Sequence, residues 1–285
     1  MEHKFIHVNG IKLHYVCEGE GKKLVVLLHG WPEFWYSWKA QIPALSENFT
    51  VVALDMRGFN ESDKPEGIEN YQAHLVAADV AELVKKLGFQ KAHIVGHDWG
   101  GAIAWAFSMN YPELTDQLAI LNCPHPSIFL QTLKKNPSQV LKSWYMFFFQ
   151  IPKVPEMLLR PLLTQFFSTF IKGWCYNKDA FSKEDLEKYV AAYSKPGALT
   201  SSISYYRAMF QFGAKNKSIM KKRVQAPTLL IWAENDQALS KEMTFNTSKY
   251  IDNTFEVKYI PNCSHWVQND APEKVNIYLK TFLIP

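Results

Sequence analysis

The sequence predicts an α/β protein built on a mostly parallel, doubly wound sheet with a helical insertion. Three observations carry that expectation. Short apolar runs recur along the chain, and segments of helical periodicity separate them. Between residues 126 and 220 the alternation stops, and only helical spacing remains. From Pro227 onward the strand signal returns.

The elements follow in order. Residues 4–8 and 12–17 are β-type runs on either side of Asn9-Gly10, a dipeptide suited to a tight hairpin turn. Leu24-Val25-Val26-Leu27-Leu28 and Val51-Val52-Ala53-Leu54 are apolar at every position, as central strands covered on both faces must be. Val76, Val80, Leu83 and Leu87 share one face of a helix expected over 71–87, with Gly88 as its stop. A strand over 92–95 runs into Gly96. Helical sequence resumes at Trp99 and ends near Tyr111-Pro112, and residues 118–121 form the next strand. The stretch 126–220 is rich in Phe, Trp, Tyr, Leu and Lys. Strands over 227–232 and 255–260 then precede a C-terminal helix. The expected organisation is a core of residues 1–125 and 221–285 with a helical cap at 126–220.

Composition excludes several classes. At 285 residues, 47% hydrophobic and 20% charged, the chain can bury one large core with or without an appended domain. A formal net charge of +4 gives no electrostatic footprint for nucleic acid. The basic cluster Lys215, Lys217, Lys221, Lys222 and Arg223 lacks interleaved aromatics and reads as a solvated face. The most apolar run, Trp144 to Ile151, is too short to span a bilayer, and residues 1–13 contain no secretory apolar stretch. Cys17, Cys123, Cys175 and Cys263 lack metal-ligand spacing, so four free thiols and a reducing, cytoplasmic setting are expected. Neither a metal nor a cofactor is called for. A monomer or a homodimer is expected.

The chemistry centres on Gly96-His97-Asp98-Trp99-Gly100-Gly101, between a strand and a helix. A nucleophile elbow needs this context, a sharp turn that lifts one side chain clear while small residues pack around it. The slot that usually holds Ser holds Asp98. An Asp that merely caps the helix is the blander account, but capping does not require glycines on both sides. A carboxylate nucleophile suits displacement at a saturated carbon and leaves an alkyl ester whose carbonyl water can attack. Epoxides and alkyl halides fit that chemistry.

Hydrolysing such an ester takes a base and an oxyanion site. His265, in Asn262-Cys263-Ser264-His265-Trp266, lies between the last strand and the last helix. Asp236 follows the strand over 229–232 and can orient the imidazole, with Glu234 as the competing acid. The order nucleophile, acid, histidine is that of the α/β-hydrolase fold. In His29-Gly30-Trp31-Pro32, the Trp31 N–H is expected to join the Trp99 N–H as an oxyanion donor. His29, at the strand end, is read as structural, with Gly30 and Pro32 completing the motif.

On these motifs the chain resembles the epoxide hydrolases of the α/β-hydrolase superfamily over nearly its whole length. His29-Gly30-Trp31-Pro32 is similar to the family's HGxP motif, and the segment around Asp98 to its nucleophile motif. The cap, with Leu121-Asn122-Cys123-Pro124-His125-Pro126 leading into it, looks closest to the animal branch called epoxide hydrolase 3 and 4. Unlike that branch, no N-terminal membrane segment is expected here. The resemblance implies that two cap tyrosines, Tyr145 and Tyr206, hydrogen-bond the epoxide oxygen and supply its proton. Tyr205, beside Tyr206, is the neighbour that a one-residue shift would substitute. The aromatic cap argues for an apolar substrate, so a small apolar epoxide and water are the expected partners. One departure is Asn60, in Arg57-Gly58-Phe59-Asn60-Glu61-Ser62, where the family usually repeats Gly; Asn tolerates a left-handed backbone, so the turn should persist.

Rival readings stay open. A haloalkane dehalogenase shares the fold, the Asp and the following Trp, but would leave Tyr145 and Tyr206 unexplained. A fluoroacetate-type enzyme would need an Arg pair near Asp98. A non-catalytic binder on this fold would tolerate loss of Asp98, Asp236 or His265, all of which are present.

Overall fold

The hairpin turn comes first. Asn9 and Gly10 both take positive φ, 48° and 80°, and around them β1 (Glu2–Val8) pairs antiparallel with β2 (Ile11–Glu18). The computed structural model describes residues 1–213 and 222–284. Six further strands run parallel to one another: β3 (Leu24–Leu28), β4 (Thr50–Leu54), β5 (Ala92–His97), β6 (Thr115–Leu121), β7 (Thr228–Ala233) and β8 (Phe255–Ile260). They form one sheet in the order β1-β2-β4-β3-β5-β6-β7-β8. Each strand expected from sequence is present. The largest shift is in β6, which begins at Thr115 rather than 118.

The continuous apolar runs are explained by burial on both faces. Val26, Leu28, Val52 and Leu54 point into one core, and Val25, Leu27, Val51 and Ala53 into the other. The helices α1 (Gln41–Ser46) and α13 (Pro272–Leu283) cover one face. The other face is covered by α2 (Ala73–Lys86) and α3 (Trp99–Asn110). Each fully buried Val or Leu contributes about 1.5–3 kcal/mol, so a polar residue at any of these positions would be costly. The stop of α2 is as expected: Gly88 has φ 85°, and its N–H donates to the Lys85 carbonyl at 2.9 Å.

After β6 the chain turns helical. It runs through α4 (Pro126–Lys135), α5 (Pro137–Lys142), α6 (Trp144–Phe148), α7 (Val154–Leu159), α8 (Leu163–Phe166), α9 (Lys172–Trp174), α10 (Lys183–Ser194) and α11 (Ala198–Phe212). A reciprocal capping box starts α10: Ser182 Oγ accepts from the Asp185 N–H at 3.1 Å, and Asp185 Oδ2 accepts from the Ser182 N–H at 2.8 Å. The helical stretch is pinned to the core through the loop after β4. There Tyr205 donates its hydroxyl hydrogen to the Arg57 carbonyl at 2.8 Å, while Arg57 holds Asp79 through Nε at 2.6 Å and Nη2 at 2.7 Å. In the same loop Asn60 has φ 40° and donates to Asp55 Oδ2 at 2.8 Å, so the turn that Gly would otherwise make is kept.

The short α12 (Val267–Asp270) follows the loop after β8. Lys215, Lys217 and Lys221 of the basic cluster lie outside the described residues, as does the core boundary expected at 220/221. Lys222 donates to Asn110 Oδ1 at 3.1 Å, and Arg223 pairs with Asp252. No helix among the described residues is long and apolar enough to cross a membrane.

Candidate active site

The turn between β5 and α3 carries Asp98 in a strained backbone, φ 50° and ψ −118°. For a non-glycine residue this costs about 1–3 kcal/mol and persists only when its surroundings force it. The forcing is visible at Gly100, where a Cβ would sit 2.0 Å from the Leu28 carbonyl oxygen. A Cβ on Gly96 would meet the Gly100 carbonyl at 2.3 Å. Only hydrogen at these positions lets α3 press against β3 and hold the turn. Asp98 makes no side-chain hydrogen bond to its own helix, so the capping account fails. Its carboxylate turns instead toward a cavity beneath the helical insertion.

Loops from three strands converge on that carboxylate. The Trp31 N–H, beyond β3, donates to Asp98 Oδ1 at 2.8 Å. Trp99 is the first residue of α3, so its N–H has no intrahelical acceptor. His265, beyond β8, has Nε2 3.5 Å from Asp98 Oδ2, and its Nδ1 lies 2.7 Å from Asp236 Oδ2. Asp236 is fixed by the Ala238 and Leu239 N–H groups at 2.7 and 2.9 Å and by Asn122 Nδ2 at 2.6 Å. Glu234 points away, half-buried and paired with Lys241. His29 lies elsewhere in the network: the Met56 N–H donates to Nε2 at 3.2 Å, which leaves Nδ1 to donate to the Gly30 carbonyl at 2.9 Å. It ties the ends of β3 and β4 together.

The electrostatics are those of a coupled group. Burial alone would raise the Asp98 carboxyl, but the hydrogen bond and charge of His265 outweigh it and hold the group below the ordinary carboxylate range. Asp236 is lowered in the same way, with its backbone donors assisting. Burial pulls the His265 imidazole down, yet the charge and hydrogen bond of Asp236, joined by Asp98, raise it to about 10.

Tyr145 and Tyr206 reach the same cavity, of about 160 Å³, from α6 and α11. Their rings meet edge-on with centroids 5.8 Å apart, and Tyr206 also packs against Trp31 at 5.7 Å and Trp99 at 5.1 Å. Burial, with the Asp98 charge adding to it, pushes both phenols up, so they keep their protons. The adjacent Tyr205 differs. Its ring is fully buried and its hydroxyl is bonded to Arg57. The rest of the lining is mostly apolar, including Ala102, Ala106, Phe129, Met146 and Met209, with Cys123 as a buried thiol and Gln72 and His74 as polar members.

Several residues of this network were missed in the sequence. Glu33 Oε2 lies 2.7 Å from His97 Nδ1, and His97 Nε2 lies 2.8 Å from the His265 carbonyl. Gln268 donates to Glu33 Oε1 at 2.8 Å, and the Gly30 N–H donates to Oε2 at 3.1 Å. Asn122, at φ 43°, joins Asp236 to β7 through the Ala233 N–H at 2.9 Å. Glu33 directly follows the first motif, and His97 lies within the second. The available signal was a charged residue next to a strand end that has to be buried.

The sheet order, the strained turn at Asp98 and the His265–Asp236 pair define an α/β-hydrolase-fold protein. Comparison with known proteins agrees. The family profile for the alpha/beta hydrolase fold matches residues 23–272. Human epoxide hydrolase 4 is 40% identical over 280 residues, covering 96% of this chain and 76% of that protein. Epoxide hydrolase 3 of Xenopus tropicalis is 38% identical, covering 99% and 78%. The crystal structure of Bacillus megaterium epoxide hydrolase with an inhibitor superposes with a TM-score of 0.85 at 31% identity, over 99% of this chain and 100% of that one. The chain belongs to the epoxide hydrolase family of α/β-hydrolase-fold enzymes.

Proposed function

We propose that the chain converts an apolar epoxide to a vicinal diol through a covalent ester on Asp98. The observation that carries this reading is the meeting of two phenols that keep their protons, half-buried Tyr145 and buried Tyr206, with the Asp98 carboxylate in one largely apolar cavity. A nucleophile alone would serve several substrates. A nucleophile opposite two hydroxyl donors suits a strained ring whose oxygen must be protonated as it leaves.

In the first step an Asp98 oxygen bonds to one epoxide carbon, and the carbon–oxygen bond of the ring breaks. The leaving alkoxide takes a proton from one of the two phenols. In the second step His265, oriented by Asp236, removes a proton from water, and the hydroxide attacks the ester carbonyl carbon. The oxyanion is held by the Trp31 and Trp99 N–H groups. Collapse expels the diol oxygen, which takes the proton from His265. The regenerated carboxylic acid loses its proton, which restores the phenol. The proposed cap, residues 126–220, brings the phenols and excludes bulk water.

The halide reading has less support. Trp31 Nε1 donates to Ser202 Oγ at 3.3 Å, so that indole is not free to hold a departing halide. Two measurements test the proposal. Intact mass of a His265→Gln variant exposed to an epoxide should gain one alkyl adduct. Repeated turnover in isotopic water should label the Asp98 carboxylate. Label found only in the diol, or halide released from a chloroalkane with no turnover of styrene oxide, would overturn it.

A further inference from the structure

We propose that the outer face of the helical insertion docks on anionic lipid bilayers and holds the cavity beside the membrane. More than half of the exposed large apolar side chains among the described residues lie between positions 141 and 162. Leu141, Trp144 and Met157 are 74%, 63% and 71% exposed, and Leu158 and Leu162 accompany them. The elements that carry most of them, α5, α6 and α7, satisfy the core with other residues: Gln139, Met146 and Pro155 are their buried positions. Single exposed apolar residues need no explanation. Eight within a stretch of 22 positions give the proposed docking face its apolar component.

Charge selects the occupant. Residues 126–176 contain Lys134, Lys135, Lys142, Lys153, Arg160 and Lys172 and one acid, Glu156. Glu156 is already tied to Arg207 at 2.6 Å. The whole chain has a net charge of +4, so this stretch carries its positive excess and the remainder is close to neutral. A second copy meeting this face would bring like charges together. An anionic bilayer complements them, each cation near the surface strengthening binding by about fivefold. Apolar side chains with a tryptophan among lysines are the composition of a surface that lies in the headgroup region.

The face adjoins the cavity. Met146 and Met209 line it, while their neighbours Phe147 and Phe210 are 45% and 41% exposed with ring centroids 5.4 Å apart. One layer of side chains therefore separates the cavity from the docking face, and an apolar molecule dissolved in the bilayer has a short path inward. The docking rests on exposure and charge alone, so it stands or falls separately from the proposed chemistry.

Co-sedimentation with phosphatidylcholine vesicles, with and without phosphatidylserine, tests it. The chain is expected to bind the phosphatidylserine vesicles at low ionic strength and to be released by salt. A Leu141→Glu/Met157→Glu variant should bind at least about tenfold more weakly while keeping its melting temperature and its turnover of a small water-soluble epoxide. A Lys134→Glu/Lys135→Glu variant should lose the preference for phosphatidylserine. Absence of binding by the unaltered chain at low salt, or equal binding by the Leu141→Glu/Met157→Glu variant, overturns the proposal. So does self-association of the unaltered chain that this variant abolishes, which would assign the face to a second copy.

Discussion

Glu33 and His97 form a fully buried pair, Oε2 to Nδ1 at 2.7 Å, and the far nitrogen of the same ring reaches the His265 backbone carbonyl at 2.8 Å. The pair therefore links the loop after β3 to the loop that carries His265, passing directly behind Asp98. Neither residue lines the cavity. Glu33→Gln keeps the volume and removes the charge from this bridge. Rapid-quench kinetics should show slower ester hydrolysis, by about tenfold, with ester formation spared, if the pair positions His265 as a base of this kind. The same variant should lose about 1–3 kcal/mol of stability from the weakened buried contact. A variant slowed equally in both steps would argue against a positioning role.

The two phenols and their neighbour give a sharper contrast. If the two phenols protonate the leaving oxygen as proposed, Tyr145→Phe or Tyr206→Phe should each lower kcat/KM by about a hundredfold. Tyr205→Phe should leave kcat/KM within about twofold and cost about 1 kcal/mol, from the lost hydrogen bond to Arg57. Steady-state kinetics and thermal melts on the three variants separate the cases. A kinetic loss at Tyr205 matching that at Tyr206 would mean the wrong tyrosine has been assigned.

The pH dependence follows from His265. Asp236 and Asp98 raise its imidazole to about 10 against the pull of burial. A group raised on folding adds stability that is fully present below its unfolded value, about 6.5, and lost as pH rises toward 10. The stability difference between the unaltered chain and His265→Gln should accordingly shrink across that interval in urea titrations. In the proposed mechanism, esterification of Asp98 removes one of the charges that raise His265, so the imidazole should titrate lower in the intermediate. In the Asp98→Asn variant, which imitates that neutral state, the NMR titration midpoint of His265 should fall by at least about one unit. An unchanged midpoint would contradict the coupling.

Two glycines should respond differently to alanine. At Gly100 a methyl would meet the Leu28 carbonyl at 2.0 Å, so Gly100→Ala should destabilise by more than about 3 kcal/mol and abolish turnover. At Gly10 the space is open and only the positive φ of 80° opposes the change. Gly10→Ala should cost about 1 kcal/mol and leave activity intact. Chemical denaturation and an activity assay on both variants check the pair. Equal losses would mean that the elbow is not set by close packing.

How much was legible varied with the range of the interaction. The strands were readable because burial on both faces demands apolar residues at every position, and Leu24 to Leu28 meets that demand within five residues. The elbow was readable because Gly96, Gly100 and Gly101 surround Asp98 within one short segment. Glu33, Asn122 and Gln268 were not readable. Each is polar and buried, and the partners that justify its burial lie 64, 114 and 235 positions away along the chain. No local pattern records such a contact. Asn60 shows the intermediate case, where the sequence revealed a departure and local backbone chemistry was enough to predict a preserved turn.

By itself the sequence determined the sheet and its helices, the family and the identity of the residue at the elbow. These depend on side-chain chemistry at short spacing along the chain. Only the tertiary structure decided which acid meets His265, with Asp236 at 2.7 Å and Glu234 turned to Lys241, and which of two adjacent tyrosines gives its hydroxyl to Arg57. Neighbours in sequence differ there only in direction. Direction is set by packing against elements that the chain reaches again a hundred or more residues later.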